Sequence, residues 1–195
     1  KKYKKKLDLI NYSVDLNEIS LNDENINNIF NLKVSSVINL IGFVDNKSFL
    51  NTSSQETLKS LYINMIFPQT VIKAVLKNMV KKKFGRILNI TSIGSKYGGG
   101  KNNYNYSLSK FSLEFIPQYY KDLSKINILI NNLRLGVIDT KIHKKILRKN
   151  IKNRIEMIPM NRMCKTYELI GIIDYLSTEK NTYITSDTIT VAGGE

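Results

Sequence analysis

The sequence predicts an α/β protein built on a mainly parallel sheet, and two observations lead to this prediction. Short runs rich in isoleucine and valine alternate along the 195 residues with longer runs in which apolar residues recur three and four positions apart. Several of the short runs are apolar nearly throughout, which is typical of parallel strands that helices cover on both faces. Strand, helix and strand in succession require a crossover connection, which is right-handed in nearly all proteins.

The predicted elements follow the chain in this alternation. Strands are expected at 7–16 (LDLINYSVDL), 34–42 (VSSVINLIG), 85–91 (GRILNIT), 126–135 (INILINNLRL) and 183–194 (YITSDTITVAGG). Helices are expected at 21–33, at about 54–83, at 104–124 and at 165–178. The second helix is amphipathic, because Leu58, Leu61, Met65, Ile72 and Val75 form an apolar stripe. Residues 141–157 are expected to form a further helix or a mobile insertion.

Length and composition fit one globular domain over residues 1–195. Apolar residues make up 42% and charged residues 24% of the chain, and no run approaches the ~20 apolar residues of a membrane span. The net charge of +14 raises nucleic acid as a partner, but the lysines are scattered and no recognised nucleic-acid motif accompanies them. We therefore expect neither nucleic acid nor a membrane as a partner.

The chain contains a single cysteine, Cys164. One cysteine excludes an internal disulfide and a cysteine-based zinc site, which favours a reducing, cytoplasmic location. We expect no metal site.

Polar residues and glycines stand where three of the predicted strands end. Asn39 and Gly42 end one strand, Ser92 ends the next, and the segment from Gly136 to Thr140 ends a third. In open parallel sheets the ligand site lies beyond the carboxyl ends of the strands. These residues are therefore the first candidates for a functional site.

Tyr106 and Lys110 lie four residues apart in the predicted helix 104–124 and so share one face. A neighbouring ammonium favours the phenolate, which predicts a lowered pKa for Tyr106 and lets it exchange a proton with a carbonyl or alcohol oxygen. Ser92 could reach the same oxygen with a hydrogen bond that strengthens as charge develops there. A tyrosine and a lysine at this spacing are common by chance. Whether they form a functional pair therefore depends on the sequence pattern around them.

That pattern closely resembles the short-chain dehydrogenase/reductase family. The family's N-N-A-G strand end corresponds to 39–42 (NLIG), its helix asparagine to Asn64 and its strand-end serine to Ser92. Its active-site signature, Y-x-x-x-K, matches Tyr106 and Lys110.

The resemblance extends over essentially the whole chain. The family's P-G-x-[VI]-x-T segment corresponds to 135–140 (LGVIDT), and its carboxyl-terminal I-T-G-x-x-[VI]-x-V-D-G-G segment to 184–194 (ITSDTITVAGG). Asp15, in YSVDL, corresponds to an aspartate that usually hydrogen-bonds the adenine. The matches are not complete, since Leu135 stands where the family has proline and Ala192 where it has aspartate.

The resemblance implies a Rossmann-like, doubly wound sheet and an oxidoreductase that transfers a hydride between NAD or NADP and a carbonyl or secondary alcohol. It implies that Tyr106 is the acid and base, that Ser92 orients the carbonyl, that Lys110 also binds the nicotinamide ribose, and that Asn64 holds a water that relays protons. The implied cofactor contacts are Asp15, Leu16, Asn39, Gly42, Tyr106, Lys110, Gly136, Ile138 and Thr140.

The family's glycine-rich pyrophosphate turn, T-G-x-x-x-G-x-G, does not precede Asp15. We therefore expect an amino-terminally truncated sequence that lacks the first strand–helix–strand unit and, by itself, has neither activity nor measurable dinucleotide affinity. The alternative is a cofactor-free remnant of the family that acts as a binding or structural protein.

Two further expectations concern partners. Residues 141–163 correspond to the family's variable substrate lid and carry many cations and few aromatic residues, which favours an anionic small-molecule substrate. The two long helices carry more apolar residues than a sheet-facing side needs, so we expect a homodimer or homotetramer with Phe111 and Phe115 buried between subunits.

Overall fold

The structure is a computed structural model, and it describes residues 10–16, 24–140 and 151–195. Four parallel strands form one sheet in chain order: β1 (Ser36–Asn39), β2 (Gly85–Ser92), β3 (Ile128–Leu135) and β4 (Thr188–Val191). β2 and β3 pair over their full eight residues, and the two outer strands pair over four. The predicted α/β class with a parallel sheet is confirmed.

Helices connect the strands on both sides of the sheet. They are α1 (Glu24–Phe30), α2 (Ser54–Leu61), α3 (Phe67–Lys82), α4 (Gly94–Tyr97), α5 (Tyr104–Leu113), α6 (Gln118–Leu123), α7 (Ile151–Glu156) and α8 (Ile170–Ser177). A π-helical stretch, Tyr62–Ile66, joins α2 to α3 without a break, so the helix predicted at about 54–83 is continuous. Short 3₁₀ turns lie at Phe49–Asn51, Ser124–Ile126 and Thr166–Leu169.

The long α2–α3 helix has clear end signals. Ser53 and Glu56 form a capping box in which each side chain bonds the other residue's backbone N–H. The helix ends at Lys83, whose left-handed backbone (φ 51°) turns the chain into β2.

Two predicted elements differ from the structure. Residues 10–16 form no strand, and 7–9 lie outside the described residues. A strand needs a neighbour to satisfy its backbone groups, and within the described part of the chain none of the four strands pairs with this segment. The predicted helix 104–124 is broken between α5 and α6 at Pro117, which lacks an N–H and disfavours a helical residue before it.

The core has two layers because alternate strand residues point to opposite faces of the sheet. On one face, Ile72 and Met79 of α3 pack with Ile87 and Ile130 of the sheet. On the other face, Leu176 of α8 packs against strand residues that include Leu88 and Leu133. Helices on both faces make this a doubly wound sheet.

A buried arginine closes the amino end of the sheet. Arg86, near the start of β2, is 1% exposed, and its guanidinium lies 4.4 Å from the centroid of the Phe84 ring. It donates to the backbone carbonyls of Gly85, Asn127, Thr178 and Asn181 and to the side-chain oxygen of Asn127, at 2.8–3.2 Å. Its five N–H groups are all used, so it ties β2 to the loops before β3 and after α8.

Candidate active site

A row of buried asparagines crosses the sheet, from the last residue of β1 through the middle of β2 and β3 to the first residue of β4. Nδ2 of Asn39 donates to Oδ1 of Asn89 at 2.8 Å, and Nδ2 of Asn89 donates to Oδ1 of Asn132 at 3.1 Å. The row continues to the Thr188 hydroxyl, which accepts from Nδ2 of Asn132 at 3.1 Å. These residues are direct partners in the strand register, so the amides join all four strands.

This row gives Asn39 a partner within the sheet, because its Nδ2 donates to Asn89. The cofactor contact expected of Asn39 from the sequence stays a prediction. Sequence reasoning missed Asn89 and Asn132. The available signal was one asparagine in each of the otherwise apolar runs ILNIT and LINNL, since a buried polar residue must find a partner.

Asn64 lies in the π-helical stretch and is buried. Its Oδ1 accepts from the backbone N–H of Phe43 at 2.7 Å, and its Nδ2 donates to the carbonyl of the same residue at 2.9 Å. Nδ2 also donates to the Ser109 hydroxyl at 2.9 Å. Ser109 in turn donates to the Tyr106 carbonyl at 2.8 Å, so Asn64 is connected to the helix that carries the candidate acid. Such π-helical insertions are frequent at functional sites.

Lys110, in α5, is 2% exposed. Its Nζ donates to the Ile41 carbonyl at 2.6 Å and to the Ile90 carbonyl at 2.8 Å, which join the segments at the ends of β1 and β2. Burial disfavours the charged form and lowers the pKa of Lys110 to about 8. An ammonium has three N–H groups, so one of them has no partner among the described residues.

Tyr106 is half-buried and lies one helical turn before Lys110. The distance from Lys110 Nζ to the centroid of the Tyr106 ring is 6.0 Å. Burial raises the pKa of Tyr106, and a hydrogen bond with the Ser92 side chain opposes this only in part. The direction is opposite to the lowered pKa expected from the sequence, because desolvation of the phenolate dominates.

Ser92 ends β2 and faces a glycine-rich turn. Its hydroxyl accepts from the backbone N–H of Gly94 at 3.2 Å, and its side chain favours the ionised form of the Tyr106 phenol and so lowers the pKa of Tyr106 in part. Gly98 and Gly99 both have φ of 77°, a left-handed conformation that favours glycine. A Cβ on Gly99 would lie 2.0 Å from the Ser107 hydroxyl, so this turn packs directly on the first turn of α5. The structure thus brings Ser92, Tyr106 and Lys110 together at the carboxyl end of β2.

The segment after β3 is held by close packing and a short ladder. A Cβ on Gly136 would lie 2.8 Å from Cα of Ala192, so only glycine allows this approach to the end of β4. Ile138 pairs with Cys164 in a parallel bridge. The Thr140 N–H donates to the Ile138 carbonyl at 2.8 Å, and the Asp139 carboxylate pairs with Lys165 at 2.9 Å.

The other expected cofactor residues lie in less regular backbone. Gly42 is exposed, and a Cβ there would meet open space, so its glycine is not required by packing. Asp15 is exposed and Leu16 is half-buried, both in a stretch without helix or strand. Of the expected lid, 141–150 lies outside the described residues, and α7 lies in the remainder.

Comparison with known proteins identifies relatives of this chain. The family model described as enoyl-(acyl carrier protein) reductase matches residues 23–195. A 3-oxoacyl-[acyl-carrier-protein] reductase FabG of Aquifex aeolicus is 31% identical over 191 residues, covering 94% of this chain and 75% of the relative. The corresponding protein of Buchnera aphidicola subsp. Schizaphis graminum is 31% identical over 162 residues, covering 83% of this chain and 66% of the relative.

A solved structure has the same fold. The 3-oxoacyl (acyl-carrier-protein) reductase from Agrobacterium tumefaciens C58, solved with NADP bound, superposes with a TM-score of 0.75 at 21% identity. The match covers 84% of this chain and 65% of that chain, so this chain spans about two thirds of the length of such a protein. The family model covers most of the chain and the Aquifex relative is similar over three quarters of its length; the chain therefore belongs to the short-chain dehydrogenase/reductase family.

Proposed function

We propose that the protein carrying this chain is an NAD(P)-dependent oxidoreductase that interconverts a carbonyl and a secondary alcohol. In this proposal residues 1–195 are one partial NAD(P)-binding domain, and the catalytic set is Ser92, Tyr106, Lys110 and Asn64. The observation that carries the proposal is the grouping of Ser92 at the end of β2, the half-buried Tyr106 phenol and the buried Lys110 ammonium, whose Nζ lies 6.0 Å from the Tyr106 ring centroid. Reductase relatives with the same fold support it.

Tyr106 is suited to donate a proton. Because burial raises its pKa, the phenol stays protonated at neutral pH and can act as the acid that protonates a carbonyl oxygen during reduction. Ser92 bonds with the same phenol and can donate to the same substrate oxygen, where negative charge develops in the transition state.

Lys110 is suited to hold a cofactor hydroxyl as well as to tune the phenol. The remaining N–H of its ammonium fits a ribose hydroxyl, which is a hydrogen-bond acceptor. Around it we assign Gly42, Gly136, Ile138 and Thr140 to the cofactor, with Asp15 and Leu16 on the adenine side; NAD and NADP are both compatible with this set. When bound, the dinucleotide would supply the hydride.

Asn64 is assigned a positioning role. Its amide is bonded to both backbone groups of Phe43 and to Ser109, so it fixes the loop after β1 against α5. The side-chain N–H of Asn64 is already bonded within the protein. A water that relays protons at Asn64 would therefore have to bind another group of this residue.

For the substrate we propose an anionic small molecule or an acyl chain on an acidic carrier protein. The two relatives compared are named for reduction of 3-oxoacyl chains on acyl carrier protein. The cationic lid expected at 141–163 would suit either an anionic group or an acidic carrier. A cytoplasmic location belongs to the same proposal.

We also propose a homodimer or homotetramer. Phe111 and Phe115 are 61% and 72% exposed, and Ile66 of the neighbouring helix is 43% exposed. Phe111 lies on α5 and Phe115 in the segment between α5 and α6, and large exposed apolar side chains are typical of interaction surfaces.

The cofactor-free remnant is less favoured because of Lys110. Burying an ammonium that is bonded to carbonyls, with no carboxylate bonded to it among the described residues, costs free energy. Arg86 bears a similar cost but uses all five N–H groups on protein oxygens, whereas Lys110 uses two of its three among the described residues, which favours a ligand over a purely structural bridge.

The test compares two tyrosines two residues apart. In the full-length protein with NADPH and a 3-oxoacyl thioester, Tyr106→Phe should lower turnover by about a hundredfold or more, because the acid is removed. Tyr104→Phe keeps an aromatic ring in contact with Phe49 and should leave turnover within about threefold. Near-normal turnover of the Tyr106→Phe protein would overturn the proposal.

A further inference from the structure

Asn105, directly before Tyr106, has a fully bonded and fully buried side chain. It is 0% exposed. Its Nδ2 donates to Oδ2 of Asp45 at 2.5 Å and to the Thr52 hydroxyl at 2.5 Å, and its Oδ1 accepts from the Thr57 hydroxyl at 2.8 Å. The partners come from the loop after β1 and from α2, so one amide joins three segments at the start of α5.

The first turn of α5 depends on such contacts. Its N-cap residue, Asn103, makes no side-chain capping bond, and its φ of −126° with ψ of 28° is outside the regular cap conformation. The segment before it contains Gly98 and Gly99 in left-handed conformation, and it meets the first turn of α5 through the close approach of Gly99 to Ser107. The direction of this turn is therefore set by tertiary contacts.

The first turn of α5 packs against the β1–α2 loop, residues 43–52. Besides the Asn105 bonds, the Tyr104 N–H donates to the Lys47 carbonyl at 3.4 Å, and the Tyr104 ring meets the Phe49 ring edge-on at 4.9 Å. Asp45 is itself oriented, because its other carboxylate oxygen accepts from the Lys47 N–H at 3.4 Å. Asn64 holds the start of the same loop through Phe43.

We propose that Asn105 is a positioning residue that fixes the Tyr106 phenol relative to Ser92 and Lys110, with Asp45 as its orienting partner. This inference rests on the proposed role of Tyr106. Proton transfer requires donor and acceptor within hydrogen-bond reach, and a displacement of about 1 Å can cost about a hundredfold in rate. A rotation of the first turn of α5 would displace the phenol without moving Lys110, which is anchored one turn later by two carbonyls.

The test exchanges the two partners. Asn105→Asp would set a carboxylate against that of Asp45 and should lower kcat by about tenfold or more with KM changed less than about threefold. Combining Asn105→Asp with Asp45→Asn restores one donor facing one acceptor, and the Thr52 hydroxyl can rotate to donate. The double variant should regain kcat to within about threefold of the original protein.

A second measurement does not depend on activity. Amide hydrogen exchange at residues 103–108 should become faster in the Asn105→Asp protein and return toward the original rate in the double variant. Asn181→Ala is the matched control, since Asn181 is equally buried, also makes three hydrogen bonds, and lies on the loop that Arg86 binds at the other end of the sheet. It should lower stability but leave kcat and exchange at 103–108 unchanged.

The outcomes separate this inference from the proposed function. Full activity of Tyr106→Phe would overturn the catalytic role of Tyr106, whereas exchange at 103–108 would still report whether Asn105 fixes the turn. Loss of activity in Tyr106→Phe together with normal kcat and normal exchange in Asn105→Asp would overturn the positioning role alone. Failure of the double variant to recover would likewise contradict the assigned pairing with Asp45.

Discussion

Two buried cations, Arg86 and Lys110, bond to backbone carbonyls at opposite ends of β2. They differ in how many of their N–H groups have a protein acceptor. Arg86 bonds near the start of the strand and uses all five N–H groups on protein oxygens. Lys110 bonds to Ile90 near the end of the strand and to Ile41, and its third N–H has no partner in the part of the chain that the structure describes. Within the described residues, neither cation forms an ion pair with a carboxylate.

The difference separates a structural end of the sheet from a functional one. A guanidinium does not lose its proton in proteins, so Arg86 is a permanent bridge between the strand and two loops. Lys110 has its pKa lowered to about 8, so its charge changes close to neutral pH. The amino end of the sheet is satisfied within the protein, whereas the carboxyl end retains a donor and a protonated phenol for a ligand.

The largest loss of stability is expected at the structural end. Arg86→Met should lower the free energy of unfolding by about 4 kcal/mol, because several buried carbonyls lose their donor. Arg86→Lys retains a cation with fewer donors and should lose less. Urea unfolding monitored by circular dichroism measures both changes. Equal stability of the Met variant and the original protein would contradict the bridging role.

The next effect is a pH dependence at Lys110. Between pH 8 and 10.5 the unfolded chain holds a proton on this lysine and the folded chain does not, so stability should rise with pH across this window. The cost of the buried charge, up to roughly 3 kcal/mol, is present below about pH 8 and relieved above it. Urea unfolding from pH 8 to 10 should show a smaller rise for Lys110→Met. Lys73→Met, at an exposed lysine, controls for loss of a lysine; equal slopes in all three proteins would refute the shift.

A smaller effect is expected in the asparagine row. Asn89→Ala should lower the free energy of unfolding by about 2 kcal/mol, because it breaks two side-chain bonds and leaves the amides of Asn39 and Asn132 incompletely paired. Asn78→Ala is the matched control, since Nδ2 of Asn78 is buried with no partner in the described part of the chain. If the control lost as much stability as Asn89→Ala, the row would have no special contribution.

The smallest effect on folding is expected at two exposed phenylalanines, one on α5 and one in the segment directly after it. Replacing Phe111 and Phe115 together by serine should change the stability of a subunit by less than about 1 kcal/mol, since both rings are exposed in the monomer. In the full-length protein the same change should shift a dimer or tetramer toward monomer, as measured by light scattering at micromolar concentration. A monomer before any substitution would rule out the proposed interface.

The sequence was sufficient where a local pattern determines the structure. Alternation of apolar runs gave the sheet and its helices, and the spacing of Tyr106 and Lys110 put both on one helix near Ser92. The break at Pro117 was also readable from the sequence, because proline ends helices by a local steric rule. The absence of a strand at 10–16 could not be read from the sequence, because strand pairing depends on a neighbour that is distant along the chain.

The properties that depend on burial could not be predicted from spacing. The pKa of Tyr106 rises rather than falls because desolvation outweighs the Ser92 hydrogen bond, and sequence distance does not report desolvation. The Asn105 contacts with Asp45 and Thr52 span 60 and 53 residues, so no local motif indicates them. The same holds for Arg86, whose acceptors include Asn181, 95 residues away.

The most direct test of the contrast between the two cations is Lys110→Met in the full-length protein, with turnover and unfolding measured on the same sample at pH 7. Turnover should fall by about a hundredfold or more, while the free energy of unfolding changes by less than about 1 kcal/mol, because relief of the buried charge offsets two lost hydrogen bonds. A loss of several kcal/mol in stability with turnover per folded molecule preserved would show that Lys110 is a structural bridge like Arg86, and would contradict a functional carboxyl end.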